Sequence, residues 1–221
     1  MNTIAQQLRE LFHKGQNPYE NHNIAQYQSI CAPLYGDDSW WLAIVKEIKP
    51  GLIIEVGTFL GGSAISMGRA LTTQNITESA ILCVDSWLGD KQLLEHPVLR
   101  GKLQIQNGRP EYYKNFLTNV IVTGLTDVIV PLPLPSLQAA SYIKEKGLKA
   151  KFIYIDGCHE EEAVIADLRA YWDVLESKGQ LLIDDYNYEE FRGIVNAVGR
   201  FSNEIMTPYR IWGQRALFVK A

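Results

Sequence analysis

Ile53-Ile54-Glu55-Val56-Gly57-Thr58-Phe59-Leu60-Gly61-Gly62-Ser63 is the stretch that decides the fold. Its apolar start reads as a strand ended by Gly57, and Gly61-Gly62 precede a helical pattern carrying Ile65, Gly68 and Leu71. Glycine lacks a Cβ, so these positions accept positive φ and let a ligand approach the main chain. Amides at the start of the following helix can face an anionic group. The spacing Glu-x-Gly-x-x-x-Gly-Gly-Ser differs from the dinucleotide pattern Gly-x-Gly-x-x-Gly. Taken alone, the stretch fits plain turn chemistry as well as a ligand-binding turn.

Outward from it, short apolar runs alternate with helical patterns. The runs are Leu52–Val56, Ala80–Val84, Val128–Leu132, Phe152–Ile155 and Gln180–Ile183. Near-continuous apolar strands are expected where helices cover both faces of a parallel sheet. Between the last two runs, Val164, Leu168, Tyr171, Trp172 and Leu175 mark the buried stripe of a helix, with Gly179 as its stop. One or two closing strands are expected in Tyr209–Lys220. Upstream, Ile4, Leu8, Leu11 and Phe12 predict an amphipathic helix, followed by a polar loop over 15–23. Asp37-Asp38-Ser39 would cap a second helix running to Pro50. The expected organisation is one domain over residues 1–221, with an N-terminal helical segment (1–50) and an α/β core (51–221).

Bulk properties exclude several function classes. A hydrophobic content of 47% with 21% charged residues belongs to an ordinary globule. A formal charge of -4 without any basic cluster argues against nucleic-acid binding, which depends on Lys and Arg neutralising phosphates. No apolar stretch approaches the roughly 20 residues that span a membrane. Cys31, Cys83 and Cys158 are scattered and odd in number, and Met1–Lys14 lacks a signal-peptide pattern, so a reducing cytoplasmic setting is expected. The partner would then be a small molecule. A second copy of the chain is also conceivable, packed on the N-terminal amphipathic helix.

Ser86–Arg109 breaks the rhythm: 24 polar, irregular residues leave the carboxyl end of the second strand. Open α/β sheets bind ligands at that edge, and long loops there are commonly functional, so the segment is expected to be a lid. Asp85, 30 residues after Glu55, stands where an acidic side chain accepts bonds from both ribose hydroxyls. It would equally cap the next turn.

Three ordered motifs carry a family resemblance. They are Glu55–Ser63, Val84-Asp85-Ser86-Trp87-Leu88-Gly89-Asp90, and Ile155-Asp156-Gly157-Cys158-His159-Glu160 leading to Leu182-Ile183-Asp184-Asp185-Tyr186. Together they resemble class I S-adenosylmethionine-dependent methyltransferases, in the group holding macrocin-type O-methyltransferases and cephalosporin hydroxylase-like proteins. The similarity spans roughly Gly51 to Tyr188. It implies a Rossmann-like, doubly wound, seven-stranded sheet, mostly parallel, with its last strand antiparallel and N-terminal helices added. The implied cofactor is S-adenosylmethionine. Glu55, Gly57 and the neighbouring Thr58, Gly61, Gly62 and Ser63 would lie near its methionine part. Asp85, with Ser86 and Trp87 beside it, would hold the ribose, and Ser136 would sit near the adenine.

Asp156 ends the fourth predicted strand, and Asp184 and Asp185 end the fifth. Three carboxylates converging there would raise one another's pKa values unless a cation joined them. An all-oxygen set suits Mg²⁺, and the resembled family carries a metal at these positions. The alternative is that Asp185 caps a helix and Asp156 binds the cofactor ammonium. Methyl transfer chiefly needs a positioned, deprotonated acceptor. His159 is the candidate base beside Asp156, or else a structural residue at the start of the next helix. Some sugar-modifying relatives place a carboxylate two residues after the Asp156 position; Cys158 stands there instead. The expected activity is metal-assisted O-methylation of a small hydroxylated molecule or sugar. Alternatives are a nicotinamide-dependent oxidoreductase and a non-catalytic cofactor-binding module. His13 and His22 are expected to be solvated. Trp40, Trp41, Trp172 and Trp212 are expected in the core. His96, Arg100, Tyr112 and Tyr113 are weaker pocket candidates.

Overall fold

The computed structural model describes residues 3–27 and 38–221. Cys31 and Asp37 lie outside them. In chain order the elements are α1 (Ile4–His13), α2 (Asp38–Ile48), β1 (Leu52–Val56), α3 (Gly62–Thr73), β2 (Ala80–Asp85), α4 (Lys91–Glu95) and α5 (Leu99–Lys102). Next come α6 (Tyr112–Val122), β3 (Ile129–Pro133), α7 (Ser136–Glu145), β4 (Ala150–Ile155), α8 (Glu161–Asp173) and β5 (Leu175–Ile183). A 3₁₀ turn (Glu189–Phe191), α9 (Arg192–Ile205), β6 (Tyr209–Trp212) and β7 (Arg215–Val219) close the chain.

The strands form one seven-stranded sheet in the order β3-β2-β1-β4-β5-β7-β6. β1 to β5 pair in parallel, while β7 runs antiparallel to both β5 and β6. β1 is buried at every residue because alternate side chains meet helices on opposite faces. Ile54 and Val56 pack with Leu8 of α1, Ile143 of α7, Leu168 of α8 and Phe201 of α9. Ile53 packs with Ile44 of α2, Ile65 of α3 and Phe116 of α6. This is the doubly wound class I arrangement that the resemblance implies.

The apolar face of α1 is covered by the chain itself. Thr3 and Gln6 form a reciprocal capping box at its start. Ala5 and Leu8 then enter the core, and the Arg9 guanidinium donates to the Thr126 carbonyl. Ile4 and Phe12 pack against the same core. His13 is not solvated, since its Nε2 lies 2.7 Å from the Pro131 carbonyl oxygen. His22 lies 2.9 Å from Thr118 Oγ1 and stacks on Tyr27. Trp41 is buried and Trp40 and Trp172 are half-buried, but Trp212 on the edge strand β6 is 39% exposed.

Two sequence expectations fail for tertiary reasons. α8 stops at Asp173, and Leu175 opens β5 instead of continuing the helix. Leu175 sits at helical spacing from Tyr171, yet it pairs with Ala150 of β4. Gly179 is therefore a strand residue, not a helix stop. The register jumps from Ala150–Leu175 to Phe152–Gln180, and Lys178 takes a φ of 63°. A Cβ on Gly179 would meet the Glu176 carbonyl oxygen at 2.9 Å, so the bulge requires glycine there. The 86–109 segment is likewise no irregular loop. It holds α4 and α5, with the Asp90 side chain accepting from the Leu93 amide at 2.7 Å as a helix cap. His96 Nδ1 takes the amides of Val98 and Leu99, and Arg100 faces solvent. Among the described residues, no helix is long and apolar enough to cross a membrane.

Because Leu8 anchors α1 on its own sheet, Leu8→Ala should lower stability by about 2–5 kcal/mol, read from the urea midpoint. An unchanged midpoint would mean that α1 is not docked.

Candidate functional site

The chain winds from β1 outward through β2 to β3, then crosses back to β4 and β5. The switch point between β1 and β4 is where loops leave in opposite directions and a crevice opens. Gly57 and Asp156 meet there. The Gly57 amide donates to the Val84 carbonyl at 2.9 Å, and the Asp156 amide to that of Val56 at 2.8 Å. A Cβ on Gly57, whose φ is 86°, would stand 2.2 Å from the Asp156 carbonyl oxygen. Only glycine fits. Above this crossing lies a crevice of about 840 Å³. Its walls include Gly57, Thr58, Gly62 and Ser63 on one side and Asp156, His159 and Asp185 on the other.

Asp85, at the end of β2, also lines the crevice, as does Ser86. Its Oδ2 accepts the Phe59 amide at 2.8 Å and its Oδ1 the Trp87 amide at 2.7 Å. The Tyr112 hydroxyl lies 3.5 Å from Oδ1 and itself accepts the Gly89 amide at 3.0 Å. Burial pushes the Asp85 carboxyl up, while the two amides hold it down. Asp85 thus ties the β1 loop to the β2 loop and keeps spare lone pairs toward the crevice.

Trp87 and Gly61 stand elsewhere than expected. The Trp87 ring is 3% exposed, lies among Tyr113 and Phe116, and donates its indole N–H to the Phe59 carbonyl at 2.7 Å. It braces the loop from below and does not line the crevice. The Cα face of Gly61 turns to the Phe116 ring, where a Cβ would sit 2.9 Å away. Gly61 therefore serves packing. Tyr113 packs at a tilt against Trp87, leaving Tyr112 as the tyrosine of the pair that reaches the crevice.

Glu55 is also beneath the loop and fully buried. Strand alternation points it, like Ile53, at α3, where Ser63 donates to Oε1 and the Cys83 thiol lies 3.6 Å from Oε2. Burial raises its carboxyl to about 7, against the lowering hydrogen bonds of Ser63, Thr58 and Cys83. Its contact with the crevice runs through Ser63.

At the other wall, the carboxylate set differs from the expected trio. Asp156, His159 and Asp185 each offer one ligand atom, and these atoms lie within 4.8 Å of one another. His159 Nε2 is 3.2 Å from Asp185 Oδ2, and the imidazole packs on Phe191 at 4.0 Å between ring centroids. Its Nδ1 is buried without a hydrogen bond among the described residues. Asp184 stands next to this set, since the Tyr154 hydroxyl that reaches it also lies 3.5 Å from Asp156 Oδ2. It accepts the Tyr154 hydroxyl and pairs with Arg215, whose Nε is 3.0 Å from Oδ1. Asp184 and Asp185 lie past the end of β5 and take different partners, Arg215 and His159. Asp185 moreover adopts a φ of 55°. Burial first, then the charges of Asp184 and Asp185, holds the Asp156 carboxyl well above its ordinary range, with Arg215 opposing. Cys158 lines the crevice beside Asp156.

Ser136 opens α7 and lines the crevice. Its hydroxyl donates to Asp167 Oδ1 at 2.5 Å. Asp167 went unread in the sequence because it sits inside an apolar helical stripe with no motif around it. Phe59, Leu137 and Gln138 are further lining residues without a sequence signal.

The sequence matches the profile of a methyltransferase-domain family over residues 54–186, more than half of the chain. The chain belongs to that family, among class I S-adenosylmethionine-dependent methyltransferases. This membership removes the oxidoreductase alternative. Nothing among curated proteins matches the sequence. The O-methyltransferase NovP is similar in structure, with a TM-score of 0.59 and 17% identity over 83% of this chain and 78% of that one. The calicheamicin methyltransferase CalS11 aligns with a TM-score of 0.57 and 17% identity, covering 82% of this chain and 76% of its own. An O-methyltransferase from Bacillus cereus, solved in complex with SAH, gives 0.56 and 13% identity over 99% and 98% of the two chains. At such identities the likeness concerns the fold.

Glu55 yields a pH-dependent expectation. Unfolded, it ionises near 4.5; folded, near 7. Its contribution to stability is complete below pH 4.5 and is lost as pH rises through 7. Glu55→Gln, which stays neutral, should therefore gain roughly 1–3 kcal/mol on wild type at pH 8 and little at pH 4.5. Thermal melts at both pH values check this, and an equal shift at the two would contradict it.

Proposed function

We propose that this chain transfers the methyl group of S-adenosylmethionine to a hydroxyl of a small molecule or sugar, with a divalent cation assisting at Asp156, His159 and Asp185. The observation behind this reading is one crevice at the switch point with a nucleoside-type corner at Asp85 and a metal-type cluster on the facing wall. Its volume of about 840 Å³ lies within the range of small-molecule sites.

The residues present fit both groups. Acceptor oxygens of Asp85 suit the two ribose hydroxyls, while Gly57, Thr58, Gly62 and Ser63 form a low wall beside which a methionine moiety can lie. An imidazole nitrogen of His159 and the two carboxylates form a mixed N,O donor set. Such a set accepts Mg²⁺ and suits transition ions such as Mn²⁺ at least as well, because imidazole is a softer ligand. S-adenosylmethionine supplies a methyl group on sulfonium, already activated for displacement. A bound cation supplies Lewis acidity toward an acceptor oxygen.

The chain's own task is positioning and proton handling. His159, held by Asp185 on one side and the Phe191 ring on the other, is fixed as a cation ligand, so the acceptor hydroxyl would lose its proton to water as its pKa falls. Asp156 lies where the two loops meet, so it orients what approaches from either wall. Residues 86–109 form the lid over the acceptor side, with Gly89, Asp90, Gln92, Leu93 and Leu99 in the crevice wall. Cys158 in place of a carboxylate leaves acceptor deprotonation to depend on the donor set of Asp156, His159 and Asp185.

Asp85→Ala should weaken binding of the demethylated product S-adenosylhomocysteine by roughly 10- to 100-fold, from loss of bonds to a charged acceptor. Asp185→Asn should remove divalent-ion dependence of methylation across a hydroxylated acceptor panel while leaving that affinity within about threefold. Calorimetry with each ligand decides. Absence of S-adenosylhomocysteine binding to the wild-type chain would end the proposal, and binding without any methylated product would leave a cofactor-binding module.

A further inference from the structure

Asp167 is an unusual residue for its position. It stands in α8 between Val164, Ile165, Leu168 and Tyr171, all buried against the sheet, and is itself only 7% exposed. A carboxylate there loses its hydration, and burial raises its carboxyl to about 6, with the Ser136 hydroxyl opposing. No lysine or arginine pairs with it among the described residues, and Ser136 is its one hydrogen-bond partner there. Such a group is costly to bury unless something bonds to its remaining lone pairs.

Its surroundings indicate what that is. Asp167 faces the crevice together with Pro135, Leu137, Ala163 and Ala166. Small or flat apolar side chains of this kind make a slot for a planar ring. Oδ1 is taken by Ser136 at 2.5 Å, whereas Oδ2 looks across toward Gly157, where a Cβ would lie 4.0 Å away. Tyr171 holds the Ser136 carbonyl at 3.0 Å, so the Ser136–Asp167 pair is fixed from behind. An ionised carboxylate only accepts hydrogen bonds, so the slot is complementary to a ring bearing an N–H donor on its edge and hostile to a ring bearing a carbonyl there.

We infer that Asp167 is a specificity-determining residue that reads the purine of the cofactor: Oδ2 accepts a hydrogen bond from the exocyclic amino group of adenine, and Ser136 holds the carboxylate in register. This rests on the S-adenosylmethionine reading above and adds the selection of amino-purine over oxo-purine. Ser136 thereby acts through Asp167 as a positioning residue.

Titration calorimetry of the full chain at pH 7.5 with S-adenosylhomocysteine and its deaminated analogue, S-inosylhomocysteine, tests the inference. Wild type should favour the adenosyl compound by roughly 10- to 100-fold, since a buried acceptor facing a carbonyl is left unpaired. Asp167→Asn keeps the shape and can still accept from Ser136, while its amide N–H₂ can donate to a carbonyl. The preference should then collapse to within about threefold or reverse. Asp167→Ala should lose affinity for the adenosyl compound with little change for the inosyl one; if it misfolds by circular dichroism, the isosteric Asn variant decides. Equal binding of the two ligands to wild type, or full discrimination retained in Asp167→Asn, overturns the role of Asp167 alone. Failure of wild type to bind either ligand overturns the cofactor reading, and this inference with it.

Discussion

The close approach of Gly57 to Asp156 and Gly157 is the constraint on which the remainder of the site depends. Two backbones cross at the carboxyl end of the sheet with room for a hydrogen atom but not for a methyl group. That crossing closes the floor of the crevice and brings the end of β4 beside the loop after β1. A side chain at residue 57 would separate Asp85 from the cluster at Asp156, because each is anchored to one of the two crossing segments.

Above that floor, acidic side chains with different partners divide the work. Glu55, its carboxyl raised by burial, accepts the Ser63 hydroxyl. Asp85 is spanned by two amides and ties the loops after β1 and β2 together. Asp184 is satisfied by Tyr154 and Arg215, and the guanidinium lies 4.1 Å from the centre of the Trp40 ring. Asp156, Asp185 and Asp167 keep oxygens toward the crevice. Desolvation alone would penalise so many carboxylates in one region, and the structure offsets it with amides, hydroxyls and one arginine. The lone pairs left over mark where ligand chemistry is expected.

Much of the architecture was legible because it depends on local pattern. Apolar runs located β1 to β4 within two residues of their observed bounds, since strands covered on both faces must be apolar throughout. Gly57, Asp85 and Asp156 were legible because their place at strand ends follows from those runs. The β5 start was misread because Leu175 satisfies helical spacing as well as strand pairing with Ala150, and only the partner strand breaks the tie. The short helices α4 and α5 were missed because segments of five and four residues carry too few turns for a periodic signal.

The sequence by itself determined the family, the doubly wound sheet and the rim on which the site lies, because periodicity and motif order are properties of the chain. Tertiary structure alone decided which neighbours on that rim face the crevice. Asp184 and Asp185 are adjacent in sequence, yet past the end of β5 one pairs with Arg215 and the other with His159. Trp87 and Gly61 read as cofactor contacts, yet Phe116 claims both from below. Asp167 carried no signal at all. Its meaning arises only where α8 passes Ser136 on α7, a contact between residues 31 positions apart that no local spacing encodes.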